Sequence, residues 1–301
     1  MTERTKALPG AAAQTAFPSS ISRAAPWVGG WLALMVVITI AGREATRELA
    51  VFQIMELRSL IGLCMLYPLV RANGGIQAMR SAVLPYHVMR NVVHYAAQFG
   101  WLLALAMIPL AQVVALEFTM PIWTALLAVA FLGERVNGWK AAAVVCGLAG
   151  VYLIVRPARS GINAGQAIAL AAALGFAVSV TMTKWLTRSD SAVAIIFWML
   201  VVQSALGLVP ALAVWRWPSG AIWGWVLVIA FCGTFSHYCM ARALRHADAT
   251  VVVPLDFLRV PLTALAGWLI YSEPVDLLMV LGTLLILVGN MLNLRRGWKE
   301  A

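Results

Sequence analysis

Apolar residues run through this chain in blocks of about twenty, and polar residues gather in the short gaps between the blocks. A helix needs roughly 17–25 mostly apolar residues to cross the hydrocarbon layer of a bilayer. Ten stretches meet that length, at 27–46, 50–70, 86–106, 110–132, 138–156, 163–186, 191–214, 220–241, 250–271 and 275–294. Charges vanish altogether between Arg90 and Glu117, between Arg159 and Lys184, and between Arg216 and Arg242. The gaps are brief, as in Gly133-Glu134-Arg135 or Trp217-Pro218-Ser219-Gly220, so no loop can hold a soluble domain. The pattern predicts an all-α integral membrane protein made of ten transmembrane helices. Residues 1–25, rich in Ala, Ser, Thr and Pro, read as a disordered cytoplasmic tail and not as a cleaved signal peptide. Residues 297–301 form a second short tail.

Composition agrees with the pattern. Of 301 residues, 62% are apolar and 11% charged, where a soluble domain carries about 25% charged residues. The net charge of +10 would suggest nucleic acid in a soluble protein. Its placement gives another reading. With the N-terminus inside, fourteen Lys and Arg fall on cytoplasmic segments and five (Arg43, Arg47, Arg156, Arg159, Arg216) on the opposite side. Bases concentrate on cytoplasmic loops, so both termini are expected in the cytoplasm, with the bilayer and not nucleic acid as the partner. The four cysteines, Cys64, Cys146, Cys232 and Cys239, lie inside apolar runs without a metal-binding spacing and read as buried free thiols. No metal or cofactor motif is expected.

Shifting the chain by 139 residues exposes a duplication. Ala104-Leu105 falls on Ala243-Leu244, Leu116-Glu117-Phe118 on Leu255-Asp256-Phe257, Thr124-Ala125-Leu126 on Thr263-Ala264-Leu265, and Glu134 on Glu273. Polar agreement in one register argues against chance similarity between apolar helices. The repeats are 26–157 and 158–296, five helices each. An odd number makes the second copy enter from the opposite side, giving two inverted-topology five-helix repeats, with the site expected near the midplane between them.

These residues resemble the drug/metabolite transporter superfamily, in particular proteins with two EamA domains. The resemblance is carried by "ALAMIPLAQVVALEFTMPIWTALLAVAFLGERV", its echo "ALRHADATVVVPLDFLRVPLTALAGWLIYSE", and the arginine of "MELRSLIGL". It implies ten helices, cytoplasmic termini, a central cavity, and carriage of small metabolites across the bacterial inner membrane, more often outward. It also favours Arg58, which matches the family's helix-2 arginine. The chain departs from the family's pattern at "IAGREATRE" and at Phe118, with the proline delayed to Pro121.

Ionisable residues at bilayer depth cost about 2.5–3.5 kcal/mol each on insertion scales and usually line a cavity or pair. Six occur: Glu56, Arg58, Arg90, Glu117, Asp256 and Arg259. Arg90, His94 and Gln98 recur at i, i+4 and i+8 on one helix face, with Asn91 and Tyr95 adjoining, as in a cavity wall. Glu117 precedes Pro121 by four residues, and Asp256 lies between Pro254 and Pro261. An acid beside proline on equivalent helices suggests a pair across the cavity; the alternative is a structural lock such as Asp256 with Arg259. Glu56 and Arg58 lie on different faces of one helix. His237 coincides with Gln98 under the 139-residue shift and should face the same cavity. Candidate substrate-binding residues are therefore Arg58, Arg90, His94, Tyr95, Gln98, Glu117, His237, Asp256 and Arg259, with His94, Glu117 and Asp256 as candidate proton carriers. Trp101, Trp123 and Trp198 lie deep enough to stack on a solute. Gly147, Gly150, Gly282 and Gly289 permit close helix approach and suggest a homodimer through helices 5 and 10.

Mixed charge in the membrane favours export of a polar, amphoteric metabolite, such as an amino acid or an opine-type metallophore. The alternative is uptake of a vitamin or nucleoside-like compound, such as riboflavin or S-adenosylmethionine, stacked on the deep aromatic rings. An intramembrane enzyme is the remote reading, since protease-type signatures are absent. Without an ATP-binding motif, transport must draw on a gradient.

Overall fold

The computed structural model describes residues 21–120, 122–123, 138–155, 162–246, 259–274 and 276–294. Within them lie ten α-helices and no strand: α1 (Ile21–Ala45), α2 (Val51–Ala72), α3 (Leu84–Met107), α4 (Leu110–Glu117), α5 (Gly138–Val155), α6 (Ala164–Leu186), α7 (Ala192–Ala213), α8 (Gly220–His246), α9 (Arg259–Tyr271) and α10 (Leu277–Leu294). A 3₁₀ turn at Ile76–Met79 leads from α2 into α3. Each helix falls on one of the ten apolar blocks. By length and composition α1, α2, α6, α7 and α8 can each cross a membrane. Helix α3 has 24 residues but is interrupted by Arg90, Asn91, His94 and Gln98.

Local chemistry sets several of the boundaries. Asn163 caps α6 by accepting from the Gln166 amide at 2.9 Å, while the Gln166 side chain accepts from the Asn163 amide. Ser191 caps α7 in the same manner, through the Ala194 amide at 3.1 Å. Helix α8 runs past the predicted end at residue 241, because Ala243 and Leu244 are strong helix formers and the bases flanking them suit a helix C-terminus. Helix α4 is shorter than the block that contains it. It stops at Glu117, and Phe118 and Thr119 form a turn. Pro121 has no N–H to give the Glu117 carbonyl, and the Thr119 hydroxyl donates instead to the Leu116 carbonyl at 2.8 Å.

The packing repeats about a pseudo-two-fold axis that exchanges α1 with α6, α2 with α7, α3 with α8, α4 with α9 and α5 with α10. Helix α1 packs along α8, and its equivalent α6 packs along α3. The first helix of each half thus lies against the third helix of the other. Helices α2 and α7, α4 and α9, and α5 and α10 meet their own equivalents. This inverted two-repeat architecture brings α1, α3, α6 and α8 around the middle of the bundle and sets α5 with α10 to one side.

Gly150 and Gly282 serve this internal pairing. A methyl group added at Gly282 would lie 2.7 Å from the Gly150 carbonyl oxygen and 2.7 Å from Ile154. Gly282→Ala is therefore expected to cost about 1–3 kcal/mol through overpacking against backbone. The check is a lowered Tm of the purified protein, with no matching loss in Gly224→Ala, where added atoms meet open space.

Candidate substrate site between the two halves

A cavity of about 70 Å³ opens between α1, α3, α6 and α8 and the end of α4. It is narrow, and a solute of vitamin size enters only if the surrounding helices part. Helix α3 supplies Arg90, His94, Gln98 and Trp101; α8 supplies Ser236, His237 and Met240; α6 supplies Phe176, Ser179 and Val180. Helix α1 adds Trp31, Met35 and Ile38, and Glu117 and Met120 close the α4 side. The i, i+4, i+8 stripe of α3 thus becomes one wall, and His237 faces it from the second half, where the repeat register puts it.

Several polar groups of this wall are left without partners. His94 is 3% exposed and Gln98 6%. The His94 Nδ1 meets the Ser179 hydroxyl at 3.1 Å, while His94 Nε2, Gln98 Oε1 and His237 Nδ1 have no hydrogen-bond partner. The two imidazole rings stand edge to face with centroids 4.8 Å apart, and Phe176 lies 5.5 Å from His94. Arg90 is anchored from behind: its Nε donates to Thr183 Oγ1 at 3.1 Å and its Nη1 to Asn91 Oδ1 at 2.7 Å. Buried polar atoms are normally satisfied, so a cluster of open ones around a cavity is suited to a polar guest.

Glu117 is held differently. Arg259 Nη2 donates to its Oε1 at 2.7 Å and Nη1 to Oε2 at 3.2 Å, a bidentate pair, and the Trp101 indole N–H adds a bond to Oε2 at 2.9 Å. The pair joins α4 of one half to α9 of the other, and the Arg259 guanidinium lies 5.2 Å from the Phe118 ring. Arg259 pairs with Glu117, 142 residues away along the chain. Asp256 itself lies outside the described residues.

Three other candidates do not line the cavity. Arg259 is buried behind Glu117. Arg58 turns to α7, donating to Gln203 Oε1 at 2.8 Å, and its stem packs over Gly233 of α8. Tyr95 turns to Gly207 of α7, beside Glu56. Neither is among the side chains that line the cavity. Of the deep tryptophans only Trp101 reaches the cavity: Trp123 bonds to Thr119 and Trp198 to the Met79 carbonyl at 2.8 Å.

At the C-terminal end of α1 a polar cluster fastens the halves together. Arg43 pairs with Glu273, and the Glu273 carboxylate accepts from the Leu110 amide at 2.9 Å, capping α4 from the other half of the chain. Tyr271 donates to Glu44 at 2.7 Å, and Arg47 joins Glu44 at 3.1 Å. At the opposite end His87 and Ser81 meet Asp190, each at 2.7 Å, and Lys184 donates to the Leu244 carbonyl at 2.9 Å.

Comparison with known proteins identifies the family. The chain matches the EamA-like transporter family over residues 27–156 and 163–295. It is 32% identical to a riboflavin transporter of Rhizobium johnstonii, over 73% of this chain and 74% of that protein. An S-adenosylmethionine uptake transporter of Rickettsia felis is 23% identical over 87% of this chain and 90% of its own length. A pseudopaline exporter of Pseudomonas aeruginosa is 28% identical over 82% and 87%. A solved crystal structure superposes with a TM-score of 0.65 at 21% identity, covering 91% of this chain and 98% of the other.

Proposed function

Because the chain belongs to the EamA-like transporter family, we propose that it carries a flat metabolite rich in hydrogen-bond acceptors, of the flavin or nucleoside kind, into the bacterial cell. It lies in the inner membrane with both termini in the cytoplasm, following its bias of basic residues. The observation that carries this reading is the cavity lining. Trp31, Trp101 and Phe176 offer ring faces, while Arg90, the two imidazoles and Gln98 offer polar groups at the edge. A planar heterocycle uses both: its face stacks on aromatic rings and its edge atoms bond to the open polar groups. The similarity to riboflavin and S-adenosylmethionine transporters supports the same class.

Export of an amphoteric compound is the second reading. Mixed charge favoured it in the sequence, and the likeness to a pseudopaline exporter favours it now. It ranks behind because the groups left open in the cavity are imidazole and amide atoms beside aromatic rings; Glu117, the acid on the wall among the described residues, has both oxygens engaged by Arg259 and Trp101.

The test is growth of a riboflavin-requiring bacterium without an uptake system of its own. Expression of this protein is expected to support growth on low riboflavin, and labelled riboflavin is expected inside the cells. No growth and no labelled uptake, together with loss of an amphoteric compound from the medium of a deletion strain, would transfer the assignment to export.

A further inference from the structure

We propose that Glu56 is a proton-binding site of the transport cycle, built between α2, α3 and α7 apart from the solute cavity. The proposal rests on the reading of the chain as a gradient-driven carrier. Glu56 is 1% exposed, and no base lies within ion-pair reach of it among the described residues. Its Oε1 accepts from the Ser204 hydroxyl at 2.6 Å, while Oε2 has no hydrogen-bond partner. The Tyr95 hydroxyl has none either. Both atoms border the space above Gly207, where an added methyl would lie 2.7 Å from Glu56 Oε2 and 3.0 Å from the Tyr95 oxygen.

Helix α7 presents Ser204 and Gly207, and α3 presents Tyr95. Of the two bases on the same helix, Arg71 lies in its last turn and Arg58 is directed to Gln203, while Gln53 is spent on the Arg216 backbone. An isolated carboxylate in such surroundings is neutralised by binding a proton. The oxygens present are the two of Glu56, the Ser204 hydroxyl and the Tyr95 hydroxyl, fewer than the six or so that a hard metal cation gathers. The reaction is the binding of one proton to the carboxylate, with no other bond made or broken. Glu117, by contrast, is held by the Arg259 guanidinium through both oxygens, whereas Glu56 faces no base within ion-pair reach among the described residues.

Infrared spectroscopy of the purified protein in phospholipid bilayers tests this without any solute. At neutral pH the wild type is expected to show the carbonyl stretch of a protonated carboxylic acid. Glu56→Gln should abolish that band and keep the wild-type Tm, and Glu117→Gln should leave the band in place. A band that survives Glu56→Gln, or disappears with Glu117→Gln, overturns the proposal. So does loss of the band on adding sodium chloride at fixed pH, which would assign the site to a metal cation. Should Glu56→Gln fail to fold, Ser204→Ala must shift the band, and an unmoved band is equally fatal. If riboflavin is carried, Glu56→Gln should exchange it at wild-type rate but lose uphill accumulation under a pH gradient. Failure of riboflavin to bind at all would sink the substrate reading and leave the infrared result standing.

Discussion

Arg259→Ala is expected to destabilise the protein by about 3 kcal/mol, the order found when one partner of a buried ion pair is removed. The reason is local. The Glu117 carboxylate would keep only the Trp101 indole N–H. The pair also joins the two halves, so its loss should loosen their packing and lower the Tm by several degrees. Thermal unfolding in detergent micelles reads the effect. The double replacement Glu117→Gln with Arg259→Met removes both charges and should recover much of the lost Tm, since a buried pair often contributes little over an apolar substitute. An Arg259→Ala protein as stable as wild type would show that the pair does not fasten α4 to α9.

Much of this architecture was legible from residue order. Ten apolar blocks and a duplication in one register are consequences of the bilayer and of chain inversion, and both are written locally in the sequence. The α3 stripe was legible for the same reason: Arg90, His94 and Gln98 stand out against an apolar helix at helical spacing. His237 followed from the register alone. The α1 contribution was not legible. Trp31, Met35 and Ile38 share a face, but in a helix apolar on every side nothing marks which face turns inward. Partners were the other gap. Helix periodicity says that Glu56 and Arg58 point apart; only the packing of α2 on α7 says that Ser204 meets one and Gln203 the other. Likewise nothing in residue order says that the contact between α4 and α9 brings Glu117 to Arg259.

The second large effect concerns solute binding. His94→Phe and His237→Phe keep ring volume in the cavity while deleting His94 Nε2 and His237 Nδ1, which have no partner in the protein, along with His94 Nδ1, which meets Ser179. Each deletion is expected to weaken binding about tenfold, on the order of 1.5 kcal/mol for a lost hydrogen bond in a buried site. Because the rings touch each other, the double variant need not equal the product of the single losses. Trp198→Phe is the matched control, for its indole N–H serves the Met79 carbonyl away from the cavity.

The most direct measurement of the central claim, that the cavity between the halves holds the transported solute, is the KM for riboflavin uptake into proteoliposomes. For His94→Phe with His237→Phe the account predicts a KM raised at least about tenfold, with Trp198→Phe at the wild-type value. A double variant that transports riboflavin with the wild-type KM would contradict it and place the solute elsewhere in the bundle.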